Sequence, residues 1–353
     1  MKNKIFVLIS LLLSSLFSNA QNRYVLDLKA QKWEFKPSIF YIAKIVDNRQ
    51  DKKNAGEALV GEKIVPIFFP QSLEVDLKNF LDNSLEIDTT AIPLTLSVEK
   101  FNLKETGSQS NHKASFNFQV KIYKEKNEQR FQLYESSGNP YFSMHGPFPN
   151  PHEKNVASAL KSTLTSFNDW INKNADIPPL VNSVKVTFDS ELKYSNYEKG
   201  DTISWKEGYK LNWNDFKGKT RNSSYMAESN CIFTYRAEPE IKDRVLTLHV
   251  RLNACFDRLS SWVRQGQDKP ALLGHEQLHF DICELYIRLL KKKISETALD
   301  PITYDIQIQP IFNEVWNDYQ AEQQKYDDET EHGIVKEKQE GWIKGVGKRL
   351  QLR

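Results

Sequence analysis

The sequence predicts an α+β protein of two domains, and three features of the 353-residue chain carry that prediction. In several stretches apolar and polar residues alternate, the period of a half-buried strand. In others apolar residues recur at steps of three and four, the period of a helix laid on a core. Between the halves stands Ile177-Pro178-Pro179-Leu180, read as a stiff polyproline-like connector that separates the domains. With 39% hydrophobic and 12% aromatic residues, the composition supplies a core for each.

Along the chain, residues 1–20 read as a signal peptide rather than part of a fold. Lys2 and Lys4 give a positive start, Ile5 to Phe17 a mostly apolar run, and Ser18-Asn19-Ala20 a small-residue exit. The expectation is an exported protein, periplasmic or secreted. No cysteine follows the expected cut, which argues against a lipid anchor. The N-terminal domain, residues 21–180, starts with a dense apolar strand at Ile39 to Val46. Leu73, Leu77, Phe80, Leu81 and Leu85 then fall at helical spacing. Two alternating strands follow, one through Leu94, Leu96 and Val98, the other through Ala114, Phe116, Phe118, Val120 and Ile122. Leu160, Leu164, Phe167 and Ile171 line one face of a helix ending near Asn174. Gly146-Pro147-Phe148-Pro149-Asn150-Pro151 is a break that continues neither ladder nor helix.

In the second domain, residues 181–353, a strand-like and turn-rich stretch leads into a hairpin, Cys231 to Arg236 and Val245 to Asn253. Leu246, Leu248, Val250 and Leu252 share one face of its second strand, leaving His249 on the polar face. Helices are expected from Pro270 to about Thr297, from Pro310 to about Thr330, and more weakly near the C-terminus. Three cysteines are too few for a disulfide framework. Cys231 and Cys255 stand near opposite ends of the hairpin, so whether they are bonded is open, and Cys283 reads as packing.

Charge narrows the function classes. Lysine and arginine total 48 against 46 acidic residues, and removing Lys2 and Lys4 brings the two into balance. A nucleic-acid binder would show a basic excess, so none is expected. No window after the leader holds the roughly 20 apolar residues of a transmembrane segment.

The chemistry concentrates in Gly274-His275-Glu276-Gln277-Leu278-His279-Phe280-Asp281-Ile282, inside the helix that follows Pro270. Residues four apart on a helix stand about 40° and 6 Å from each other on one face. His275 and His279 can therefore share one tetrahedral Zn2+, with Glu276 placed to act on a water as general base. The third ligand lies elsewhere, because the Gly and His that would extend the motif are absent. His332 is favoured, being the only histidine downstream of the motif; Glu314 and Asp327 are the alternatives. Tyr326 is a candidate donor to a developing oxyanion, or a packing residue. Asp281 lies too far round the helix to share the metal and is expected to orient a neighbour.

Leu211-Asn212-Trp213-Asn214-Asp215-Phe216-Lys217-Gly218, Ser261-Trp262-Val263, the His275 to Ile282 segment, and Tyr326-Asp327 through Thr330, His332 and Gly333 carry a family resemblance. Together they resemble a bacterial domain of unknown function, number nine-two-two, described as predicted zinc-dependent proteases. The resemblance covers about residues 200–345. Leu278 departs from it, where a small residue such as glycine is expected. It implies a zincin-like metallopeptidase domain, with the HExxH helix packed on a small antiparallel sheet, and it favours a role for His332.

The expected function is an exported zinc-dependent hydrolase acting on a peptide or protein substrate. His275, His279 and His332 would hold the metal, and Glu276 would move the proton. The alternative is a non-catalytic periplasmic binding or assembly protein with a structural or vestigial zinc site. In either case the N-terminal domain is a candidate contact for an envelope protein.

Overall fold

The computed structural model describes residues 23–108, 111–144, 151–188 and 201–351. The expected leader and Gly146 to Asn150 of the first break lie outside these residues. The chain is a mixed α/β protein that divides into two compact units, Met1–Ala175 and Asp176–Arg353.

The N-terminal unit is built on one mixed sheet. Strands β1 (Tyr24–Val25), β2 (Phe40–Asp47), β3 (Gly56–Val60) and β4 (Lys63–Phe68) precede helix α1 (Leu73–Ser84). Long strands β5 (Ile92–Ser108), β6 (Asn111–Lys126) and β7 (Gln129–Gly138) follow, then β8 (Tyr141–Met144) and helix α2 (Pro151–Lys173). The sheet order is β1-β4-β3-β5-β6-β7, with β2 added parallel to β5 and β8 antiparallel to β6. Asn127 and Glu128 both take positive φ, as a two-residue turn between β6 and β7 requires. Ser72 caps α1 by accepting the Val75 N–H, and Glu74 and Asp76 complement its N-terminus. The buried stripe of α1 is Leu73, Leu77, Phe80 and Leu81, as its spacing predicts. On α2, Phe167 meets Phe40 of β2 and Tyr134 of β7 edge to face or tilted, at 4.7 and 5.5 Å.

Ile177-Pro178-Pro179-Leu180 is not the extended connector that its prolines suggest. Pro178–Leu180 turns as a 3-10 helix, with the Leu180 and Val181 amides donating to Ile177 and Pro178 carbonyls, and Leu180 is buried. Proline at the first helical positions costs no hydrogen bond, so the pair starts a turn as readily as it stiffens a linker.

The C-terminal unit holds β9 (Ser183–Phe188), β10 (Thr202–Ser204), β11 (Ala227–Glu228), β12 (Cys231–Lys242), β13 (Val245–Asp257) and β14 (Trp262–Val263). Its helices are α3 (Pro270–Glu296), α4 (Tyr304–Thr330) and α5 (Lys336–Gln351). The hairpin β12–β13 turns at Asp243 and Arg244, both with positive φ. The expected antiparallel sheet is in fact mixed, because β9 runs parallel to β13 while β10 and β12 run antiparallel to it. Leu246, Leu248 and Val250 are buried, and Leu248 and Val250 share a core with Leu278, Phe280, Ile282, Leu290, Val315 and Tyr319 of the helices. Leu278 therefore fills core volume. The helix expected to start at Pro310 starts at Tyr304, with Pro310 inside it. Pro310 lies past the first turn, where its missing N–H leaves the Ile306 carbonyl without its i+4 donor, so the helix carries the proline rather than starting at it.

All three cysteines are free and buried. Cys231 pairs in register with Phe256 and Cys255 with Ile232, so the two thiols point to opposite faces of the hairpin and are not bonded.

Candidate metal centre

Helix α3 starts at Pro270 and brings three consecutive polar residues, His275, Glu276 and Gln277, into the interior. Buried polar groups need partners, and those of Gln277 are structural. Its Oε1 accepts the Leu211 N–H at 2.7 Å and its Nε2 donates to Asp281 Oδ1 at 2.9 Å. Asp281 also accepts from Trp205 Nε1 at 2.8 Å, so it orients Gln277 and the neighbouring loop. The stretch from Leu211 to Gly218 is the seat of this anchor. Asn212 and Asp215 close a capping box round the turn Trp213–Asp215. Gly218 donates its N–H to Ser261, and a Cβ there would stand 2.7 Å from the Ser261 carbonyl oxygen.

His275 and His279 lie one turn apart and meet Asp327 from α4. His275 Nε2 and His279 Nε2 stand 3.2 and 3.1 Å from Asp327 Oδ1, and 3.1 Å from each other. Tetrahedral ligands about 2.0–2.1 Å from a zinc ion lie roughly 3.3 Å apart, so the three atoms have the spacing of one face of such a shell. Asp327 Oδ1 is buried, yet no donor is aligned on it, although three imidazole nitrogens stand within 3.4 Å. That is what lone pairs directed at a common point would produce, and the donor set of two imidazoles and one carboxylate suits zinc. Among the described residues, these are the only ones whose ligand atoms gather closely enough to hold a metal ion.

The electrostatics agree. Burial pushes the Asp327 carboxyl up, but the His275 and His279 imidazoles outweigh it and hold the group well below the usual carboxylate range. For His279, burial lowers the pKa and the carboxylate beside it raises it more, for a net increase.

A cavity of about 560 Å³ opens on the cluster. Glu276 lines it with the two histidines and Asp327, and Glu276 Oε2 is buried without a hydrogen-bond partner. Tyr225, Met226, Leu272 and Ile334 form an apolar rim.

His332, favoured by sequence as the third ligand, is adjacent to the cluster, while the group of ligand atoms close enough to hold one ion contains Asp327, the alternative from sequence. Its Nδ1 stands 3.4 Å from Asp327 Oδ1, its side chain is 47% exposed, and its ring meets Tyr225 at a tilt with centroids 4.7 Å apart. The reason is backbone geometry: Glu331 and His332 both take left-handed φ, 48° and 55°, as α4 ends. This turn carries the imidazole to the cavity wall. Gly333 follows at φ 86°, where a Cβ would press on His275 Cβ at 3.0 Å and on its ring at 3.1 Å. Glu314 is an exposed partner of Lys293 at 2.9 Å. Tyr326 does not line the cavity. It is buried, stacks on His275 at 4.7 Å, and donates to Gln339 Oε1 at 2.8 Å, which makes it a packing residue rather than an oxyanion donor. His249 lies beside Thr187 and Glu240 on the outer face of β13.

The sequence pattern did not single out Tyr225, Met226, Gln323 or Gln339, because none belongs to a motif. Asp327 could have been preferred from spacing alone. It falls four residues after Gln323 and beside Tyr326 on the face of α4 that also buries Tyr319 and Thr330.

Residues 214–333 match a family model described as "Bacterial protein of unknown function (DUF922)". The match includes His275, Glu276, His279, Asp327 and His332, and leaves out the whole N-terminal unit. No curated protein matches the chain. Two solved structures share slight similarity. An uncharacterized protein is 9% identical, with 44% of this chain and 97% of that one covered and a TM-score of 0.20. A Xanthomonas campestris protein labelled DUF330 is 12% identical, with 42% and 92% covered and a TM-score of 0.24. Similarity at this level has no bearing on the site.

Proposed function

We propose that the C-terminal unit is a zincin-like, zinc-dependent peptidase in which His275, His279 and Asp327 hold the metal and Glu276 is the general base. One observation carries this reading. Two imidazole nitrogens and a carboxylate oxygen converge within 3.2 Å beside a cavity, with the carboxylate oxygen lacking an aligned donor. Electron-rich atoms so close repel unless a metal ion or shared protons stand among them.

Bound zinc would supply Lewis acidity, bringing the pKa of a water toward about 7 and polarising a substrate carbonyl. Glu276, with Oε2 buried and free of hydrogen-bond partners, would serve as the general base toward an attacking water and return that proton to the leaving amine. His332, on the cavity wall, is placed to donate to the carbonyl oxygen as negative charge builds there. Met226, Leu272 and Ile334 suit an apolar substrate side chain next to the scissile bond.

A three-donor set facing an open cavity supports turnover over a closed structural site, since Glu314 is occupied by Lys293. The leader-like residues 1–20 support export, and the substrate would then be a peptide or protein outside the cytoplasm. The decisive test is hydrolysis of casein or a mixed peptide library by purified zinc-loaded protein, against Glu276→Gln. Loss of turnover with zinc retained is the expected result; a variant as active as wild type would remove Glu276 from the mechanism.

A further inference from the structure

We propose that Gln323 and Gln339 are positioning residues for the metal: Gln323 accepts a hydrogen bond from Nδ1–H of His279, leaving its Nε2 lone pair for a divalent cation, and Gln339 holds the ring of His275 from α5. This rests on the metal-site reading above and deepens it.

A neutral imidazole carries one N–H, and the partner of one nitrogen decides which nitrogen bears it. For His279 the partner is oriented by a group other than the ring. Gln323 Nε2 donates to the His279 backbone carbonyl at 2.9 Å. A carbonyl only accepts, so the amide must present NH2 to it and Oε1 to the ring, where it faces His279 Nδ1 within hydrogen-bond distance. An amide oxygen only accepts as well. His279 Nδ1 must therefore be the protonated nitrogen, and Nε2, 3.1 Å from Asp327 Oδ1, carries the lone pair. One glutamine thus reads both the backbone and the ring of a single histidine.

Gln339, on a different helix, faces the other imidazole, with Oε1 3.3 Å from His275 Nδ1 and 2.8 Å from Tyr326 Oη. Unlike the backbone carbonyl that orients Gln323, the Tyr326 hydroxyl both donates and accepts: it also donates to the His275 carbonyl at 3.2 Å, and Gln339 Nε2 is buried without a partner. Gln339 and the stacked Tyr326 ring therefore set the plane of His275, and the tautomer argument belongs to His279.

The two glutamines also divide the site between helices. Gln323 lies one turn before Asp327, so a single face of α4 provides both a ligand and the residue that orients another. Gln339 lies on α5, beyond residue 333 where the family match ends. On this account α5 is part of the metal site.

The test is zinc affinity by chelator competition on the full chain, for wild type, Gln323→Leu, Gln323→Glu and Gln339→Leu, with imidazole 15N shifts of the zinc-free proteins. Each leucine variant should lose about 10–100-fold in affinity. Gln323→Glu, which keeps an acceptor facing Nδ1, should restore it. Zinc-free wild type should show His279 protonated at Nδ1 when neutral, and Gln323→Leu should lose that preference. Leucine variants that bind as tightly as wild type, a glutamate that fails to rescue, or a His279 protonated at Nε2 would each overturn the inference. If Gln339→Leu does not fold, the partly exposed Gln323 carries the test. Should wild type bind no zinc, the metal reading fails, while the zinc-free shifts still decide whether Gln323 fixes the tautomer.

Discussion

Both units bury histidine and carboxylate together, and the two arrangements differ in what they leave over. In the N-terminal unit, fully buried His152 places Nε2 3.3 Å from Glu105 Oε2, and that oxygen also takes the Leu59 N–H. Beside it Tyr24 donates to Glu153. The same unit buries Arg49 against Asp47 in a two-pronged pair, with the carbonyls of Lys52 and Asn54 taking further guanidinium protons. Apart from His152 Nδ1, which is buried without a hydrogen-bond partner, these groups are compensated by one another. In the C-terminal unit, His275 and His279 set Nδ1 beside glutamine oxygens, and their Nε2 atoms gather with Asp327 Oδ1 at an open cavity. Burial of ionisable groups alone thus says little about chemistry. Unmatched lone pairs that converge on a cavity are the more telling sign.

The contrast can be broken most sharply at Glu276. Glu276→Gln should lower turnover by about 10²–10⁴-fold while zinc content by elemental mass spectrometry stays unchanged. Zinc loss in this variant would make Glu276 a ligand and dissolve the assigned roles. Next in size is the opposite change in the N-terminal unit. Arg49→Met leaves Asp47 buried and unpaired, which should cost about 3–5 kcal/mol by denaturant titration, with zinc stoichiometry untouched. A stability change well under 1 kcal/mol would mean that the pair is not the closed, compensated element described.

A pH comparison sharpens the picture further. In zinc-free protein the His279 pKa is raised, so its contribution to stability is complete below the unfolded value of about 6.5 and is lost as pH climbs through the folded value. The Asp327 pKa is lowered, so its contribution is present above about 3.9 and is lost as pH falls through the lower folded value. The cluster therefore stabilises the zinc-free chain most between these limits and less toward pH 8. Zinc requires unprotonated imidazoles, so the rise in melting temperature on adding it should be larger at pH 8 than at pH 6. Equal shifts at both would contradict the assignment. The smallest expected effect is that of Tyr326→Phe, which removes the hydroxyl from Gln339. It should cost about 1 kcal/mol of stability and leave turnover within a few-fold of wild type. A hundredfold fall in turnover would return Tyr326 to the chemistry.

Periodicity made the elements legible because burial imposes it. The α1 stripe, the alternating strands β5 and β6, and the His275–Glu276–His279 turn all follow from residues that must share a face. Connections were harder to read. Pro178-Pro179 has the composition of a linker, and Pro310 that of a helix start, yet local packing made the first a turn and placed the second inside α4. The proposed third ligand was obscured for a similar reason. Asp327 opens the run Asp327-Asp328-Glu329, which looks like a solvated helix end, and only the inward face of α4 separates it from its neighbours. His332 had the more telling residue type, but the two left-handed residues that end α4 place it beside the cluster. Gln323 and Gln339 were invisible because an uncharged amide in a helix carries no motif.

The measurement that bears most directly on this account is zinc stoichiometry of the purified full chain, determined by elemental mass spectrometry beside Asp327→Ala and His332→Ala. The account predicts about one zinc per chain in wild type, loss of it in Asp327→Ala, and retention in His332→Ala. A wild-type protein that holds no zinc after reconstitution, or a site that survives Asp327→Ala and fails in His332→Ala, would contradict it.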